Sequence, residues 1–189
     1  MIDKKEFGTI GKKLKEYDNN REELIKKARE VLKLSKQLIY SLHRKNLEEA
    51  SKIQKEVIKQ KNDLDKIAKN NAKLAYEGSY SEAAQEYVEA LCYYGFIKDE
   101  KLPTSESLVV DVEDYLMGIS DLTGELTRRA VTLANKDENA FVKIKELVEE
   151  IFGEFLRFDL RNGNLRKKAD QIKWNLKKLE EIGYDIERK

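Results

Sequence analysis

Only one of the 189 residues is a proline, Pro103, so almost nothing in the chain forbids helix. Straight side chains such as Leu, Lys and Glu lose little rotamer freedom in a helix, and with Ala they supply much of the sequence. The apolar residues keep the helical period. A short leading segment reaches Tyr17, and the turn-prone Asp18-Asn19-Asn20 is expected to separate it from a helix carrying Leu24, Ala28, Val31, Leu38 and Leu42 that runs close to His43. Asn46, with Glu49 three places on, reads as the N-cap of a second helix. Its stripe includes Ala50, Val57, Leu64, Leu74 and Ala75 before Gly78-Ser79 ends it. A third helix is predicted from Ser79 or Ser81 through Cys92, with a connection around Lys101 to Thr104. Three more follow: Asp111 to about Leu133, an aromatic-rich one from Phe141 to Leu156, and a last one capped by Asn164 and holding Leu165 to Ile182.

Six or seven helices and no strand alternation predict an all-α, antiparallel bundle in one domain spanning 1–189. The outer helices carry apolar surface that could serve a partner subunit.

Composition removes several kinds of chemistry. The one cysteine, Cys92, allows no intrachain disulfide and no cysteine-rich zinc site, and the one histidine, His43, allows no two-histidine metal motif. Any metal must sit on oxygen. No P-loop or dinucleotide fingerprint is present. Cys92 lies on an apolar stripe and reads as a small core residue. His43 is the sole candidate imidazole base and falls in the last turn of a helix, where a cation suits the dipole; it is read as partly exposed and without chemical role. The start has no apolar leader and no run reaches the roughly 18 apolar residues of a membrane span, which leads to the expectation of a cytoplasmic protein without membrane contact. With 37 Lys+Arg against 36 Asp+Glu, the net charge of +1 says nothing about partners, so the placement of charge must decide.

The acids are placed suggestively. Glu86 and Glu89 are spaced i,i+3 and share one side of the third helix. On the helix after Asp111, the residues Asp114, Asp121 and Glu125 form a stripe, with Gly118 as a gap in it. Clustered carboxylates need a counter-charge, and a divalent cation is one solution. Oxygen-only ligands favour Mg²⁺ or Mn²⁺, which keep waters and phosphate oxygens in the shell and suit phosphodiester hydrolysis. A chain this rich in acids also presents such pairs by chance on a solvated face. The mid-helix glycines ask for a close approach, which tight helix packing explains equally well. Basic residues group at Arg128-Arg129, Arg157, Arg161 and Arg166-Lys167-Lys168 among Phe155, Phe158 and Trp174. Such a patch could track a phosphate backbone, or could be a solvated face.

Specific strings go further. Asp111-Val112-Glu113-Asp114-Tyr115-Leu116-x-Gly118, Asp121-Leu122-Thr123-Gly124-Glu125-Leu126, and Asn164-Leu165-Arg166-Lys167-Lys168 through Tyr184-Asp185 resemble the translin family, more weakly so from about Arg21 onward. Gln85-Glu86-Tyr87-Val88-Glu89-Ala90 and the string from Asp121 are similar to the branch of translin-associated factor X. The resemblance implies a helical bundle that assembles as a hollow oligomer, commonly an octamer, and binds single-stranded RNA or DNA; the two branches often form a mixed shell, but a chain that combines both signatures is expected to assemble alone, as a homo-oligomer. For the factor X branch it implies a Mg²⁺-dependent endoribonuclease whose metal-holding acids fall at Glu86, Glu89 and Asp121, with Glu125 a further catalytic candidate. The histidine-containing basic stretch of translin has no match in Ala75 to Tyr80. Nucleic-acid contacts are therefore expected from Arg128, Arg129, Arg161, Arg166, Lys167 and Lys168. The alternative reading is a non-catalytic single-strand-binding protein of the translin type.

Overall fold

The computed structural model describes residues 2–188. The all-helical bundle is what forms: α1 (Lys4–His43), α2 (Leu47–Lys69), α3 (Gly78–Asp99), the short α4 (Ser105–Leu108), α5 (Val112–Leu133), α6 (Glu138–Phe155) and α7 (Asn164–Glu187). There is no strand among the described residues.

The expected turn at Asp18-Asn19-Asn20 does not occur. The helix starts at an Asp3 cap, whose carboxylate accepts from the Lys5 and Glu6 backbone N–H groups, and continues unbroken for 40 residues. Asn and Asp cost only a few tenths of a kcal/mol each inside an exposed helix, too little to break one that packing holds further along. Asn46 caps α2 as its sequence suggests, accepting from the Glu49 N–H at 3.1 Å. That helix stops at Lys69, well before Gly78. A 3₁₀ segment, Ala72–Tyr76, follows, started by Asn71 and burying Leu74. Leu74 thus serves the core from a turn. The connection after α3 also holds α4, capped by Thr104. At the start of α7 the cap position is Gly163, without a side-chain bond, and Asn164 is already helical.

Leu24, Ala28, Val31, Leu38 and Leu42 of α1 are buried against α2 and α3, α3 packs on α5, and α5 carries α6 and α7. Short connections make α1/α2 and α5/α6 antiparallel neighbours. Helices α3 and α5 instead run side by side in the same direction, as shown by Ser81 against Asp114 and Val88 against Gly118. The segment 100–111 returns the chain to make this possible. Gly95 and Gly118 both answer to it. A Cβ at Gly95 would lie 2.5 Å from the Lys101 carbonyl oxygen, and one at Gly118 would lie 2.7 Å from the Gln85 carbonyl oxygen and from Val88 Cβ. Close helix packing therefore accounts for Gly118. The parallel pairing has a functional consequence: it sets successive turns of α3 and α5 level with one another, so acids on each can face acids on the other. No helix is long and apolar enough to cross a membrane.

Candidate active site: an acidic cleft between four helices

Glu86 and Glu89 come from α3, Asp121 and Glu125 from α5, and all four line one open cleft of about 540 Å³. Lys36, Ile39 and Tyr40 of α1, Gly124 and Arg128 of α5, and Lys168 of α7 complete its wall. Neither helix alone explains the cluster. The i,i+3 pair on α3 and the i,i+4 pair on α5 each project from a single face, and the parallel pairing brings those faces together.

Three of the four carboxylates have cationic or imidazole partners. Lys36 Nζ lies 3.2 Å from Glu86 Oε1, and Lys168 Nζ donates to Asp121 Oδ1. Glu125 pairs with His43 Nε2 and has Arg128 at 3.5 Å. Glu89 is the exception. Only 9% exposed, it has no hydrogen-bond or ion-pair partner among the described residues. Burial, together with the charges of Glu86, Asp121 and Glu125, pushes its carboxyl up to about 8. Burial also raises Glu86 above the usual carboxylate range, against the opposing pull of Lys36. Glu125 moves the other way. The hydrogen bond from His43 is the largest cause, and it holds Glu125 below its ordinary value despite burial.

His43 is the clearest correction to the sequence reading. It does close α1, but its ring is tucked in, with Nε2 on Glu125 and Nδ1 3.3 Å from the Tyr93 hydroxyl. Being the last residue of α1, it carries its imidazole beside an α5 carboxylate 82 positions away. No local pattern announces that pairing. Lys36 and Tyr40 were likewise missed. Both are exposed residues spaced i,i+4 on α1, and the only available signal was that they, with His43, repeat on one helix face.

Asp114 does not belong to the cleft. It is buried two turns away and accepts from Ser81 Oγ and from Gln85 Nε2 at 2.9 Å. Cys92 is a core residue, its thiol raised to about 12 by burial. The basic group divides. Arg128 and Lys168 line the cleft, whereas Arg129 reaches the Leu42 carbonyl at 3.5 Å. Arg161, Arg166 and Lys167 are exposed outside it, Arg166 lying 3.8 Å from Asp170.

As the side chains stand, no three His, Cys, Asp or Glu residues among those described are close enough together to hold a metal ion. Lys36 and Lys168 occupy two of the carboxylates instead. The donor set itself suits a hard divalent cation: four carboxylates, no sulfur, and one buried acid whose neighbours repel its charge.

The sequence pattern of the translin family matches residues 19–187. An uncharacterized protein of Methanocaldococcus jannaschii is 31% identical over 162 residues, covering 81% of this chain and 70% of that protein. Human translin is 37% identical over 78 residues, 41% of this chain and 34% of its own length. The Schizosaccharomyces pombe homologue of translin-associated protein X is 27% identical over 167 residues, 80% of this chain and 69% of that one. Among solved structures, apo-NeC3PO superposes with a TM-score of 0.87 at 28% identity, covering 96% of each chain. AfC3PO in a complex with duplex RNA superposes at 0.82 with 25% identity, again over 96% of each. Matched along nearly its whole length in sequence and in fold, the chain belongs to the translin family.

Proposed function

We propose that the cleft is the active centre of a Mg²⁺-dependent endoribonuclease that acts on single-stranded RNA within a homo-oligomeric shell. The observation that carries this reading is Glu89, buried without a hydrogen-bond or ion-pair partner among the described residues and beside three other carboxylates in an open, cation-rimmed cleft. Structural acids normally find a partner when they are buried. The RNA in the AfC3PO complex supports a nucleic-acid substrate class for this fold.

Glu86, Glu89 and Asp121 would hold the ion, Mg²⁺ or Mn²⁺, once Lys36 and Lys168 leave their carboxylates. The chemistry such an ion supplies is a more acidic water and a partly neutralised phosphate. Glu125, kept ionised by His43 and Arg128, is placed to orient an attacking water and take its proton. Arg128 and the displaced Lys36 and Lys168 are placed to hold phosphate oxygens. Tyr40, 58% exposed at the rim, offers a ring on which a base can stack.

A second reading has its own support, because Lys36 and Lys168 already neutralise two acids, as they would in a purely structural cluster. It makes the protein a single-strand-binding module without catalysis. The ends of the products test the first reading. Water attacking the phosphorus with departure of the 3′ oxygen should leave 5′-phosphate and 3′-hydroxyl termini, whereas 2′,3′-cyclic phosphates would show that the ribose hydroxyl attacks and that this mechanism is wrong.

A further inference from the structure

The buried seam of α1, Leu24, Ala28, Val31, Ser35, Leu38 and Leu42, alternates steps of three and four residues. The same alternation continues backward through Arg21 to Tyr17, Leu14, Ile10 and Phe7. Inside the bundle the seam is covered by α2 and α3. Before Tyr17 no described residue covers it: Phe7 is 57%, Ile10 43% and Leu14 59% exposed. Apart from their chain neighbours and the backbone of their own helix, Gly8 and Gly11 in this arm have no described atom within 4 Å of where a Cβ would stand. Two glycines with no packing are a poor way to keep an isolated helix, so an arm of this composition calls for a covering partner. Lysines border the stripe, Lys4 and Lys15 on one side and Lys13, beside Glu6, on the other. None of these three lysines has an ion-pair partner among the described residues.

A surface of complementary character lies elsewhere on the chain. Between α3, α5 and α6 runs an open groove of about 570 Å³ floored by Phe96, Leu116, Leu147, Phe155 and Phe158. One wall is mainly acidic: Glu146, Glu150 and Glu154 follow one another at i,i+4 along α6, Glu154 already paired with Arg157 at 2.9 Å, while Lys143 at the same wall is taken up by Glu100. The three acids span about 12 Å of helix, and Phe7 to Leu14 spans about 10.5 Å. The arm is part of one continuous helix with the rest of α1, so it does not fold back into its own groove.

We propose that the arm 4–17 of one copy of this chain docks in the α3–α5–α6 groove of a second copy. Phe7, Ile10 and Leu14 then rest on the aromatic floor, and the bordering lysines face Glu146, Glu150 and Glu154. The contact is heterologous, arm to groove, so it closes either by two copies exchanging arms or by a ring. It names the surfaces that hold copies together and is independent of any chemistry in the cleft.

The test joins a crosslink to a mass measurement. Chains carrying Ile10→Cys and chains carrying Glu150→Cys, differently tagged and co-expressed, are oxidised mildly; the native Cys92 is buried. A disulfide linking one chain of each kind is expected. Disulfides only between two Ile10→Cys chains would mean that arms pair with arms, and no crosslink would mean that the groove is not the arm's site; either overturns the proposal. Independently, Glu146→Lys with Glu150→Lys should lower the weight-average mass in light scattering by about half or more. Adding Lys4→Glu, Lys13→Glu and Lys15→Glu should restore it. An unchanged mass in the first variant, or no recovery in a second variant whose circular dichroism remains helical, would also overturn it.

Discussion

Two clusters of buried charge lie on opposite sides of α3, and they are resolved in opposite ways. Lys61 of α2, 1% exposed, places Nζ 2.7 and 2.9 Å from the two Asp65 oxygens, and the Tyr80 hydroxyl donates to the same carboxylate at 2.7 Å. The rings of Tyr80 and Tyr87 sit 5.5 and 5.6 Å from the ammonium. One positive and one negative charge balance, every partner is supplied from within, and the cluster is closed. The acidic cleft is not closed in this way. Its cations lie at the rim, Glu89 has no partner among the described residues, and it is open to ligands. A cluster that only stabilises can close on itself. One that must receive a ligand keeps both its opening and its imbalance.

That contrast can be broken experimentally. The largest effect is expected from Glu89→Gln, which should lower RNA cleavage by about a hundredfold or more, read in single-turnover assays with a labelled single strand. Next comes Lys61→Ala, which strands Asp65 without its cation. It should cost about 3 kcal/mol of stability in urea denaturation and leave the activity of the remaining folded protein unchanged.

The third prediction returns to Glu89. Its folded carboxyl is raised to about 8, so between the ordinary carboxylate pKa and pH 8 the folded chain holds a proton that the unfolded chain has released. More protons bound in the folded state means that stability falls as pH rises through this window and levels off above it. Glu89→Gln removes the titrating group. The variant should therefore be more stable than wild type at pH 8, with the gap closing toward pH 4.5. One substitution that weakens catalysis and strengthens the fold would sharpen the comparison; a loss of stability at pH 8 would place Glu89 with Lys61 as a structural charge. The smallest effect is expected from Arg128→Ala. It should weaken single-strand binding about three- to tenfold and reduce the slope of log affinity against log salt by about 1.

What could be read from sequence follows how local each cause is. The α5 helix was legible to within a residue, because Asp111 caps it and its apolar period is unbroken. The end of α2 was not, since Leu74 keeps the helical phase across a 3₁₀ turn that buries it all the same. The misread break at Asp18-Asn19-Asn20 has a related origin: turn propensity is weak beside a helix that packing holds from Leu24 onward. In the cleft, the pairs Glu86/Glu89 and Asp121/Glu125 were visible as helix faces. Their meeting was not, because it depends on the parallel approach of α3 and α5 that Gly118 permits. Lys36, Tyr40 and His43 reach the cleft from a helix more than forty residues earlier in the chain, and Asp114, which shares the α5 stripe, points instead to Ser81 and Gln85. A helical wheel supplies faces and leaves their partners unspecified.

The most direct test of the central claim is cleavage of an end-labelled single-stranded RNA in Mg²⁺ and in EDTA, by wild type and by Asp121→Asn prepared identically. A metal-dependent centre in the cleft requires cleavage by wild type in Mg²⁺ alone, and none by the folded mutant. Cleavage that persists in EDTA, or equal rates for the two proteins, would contradict it.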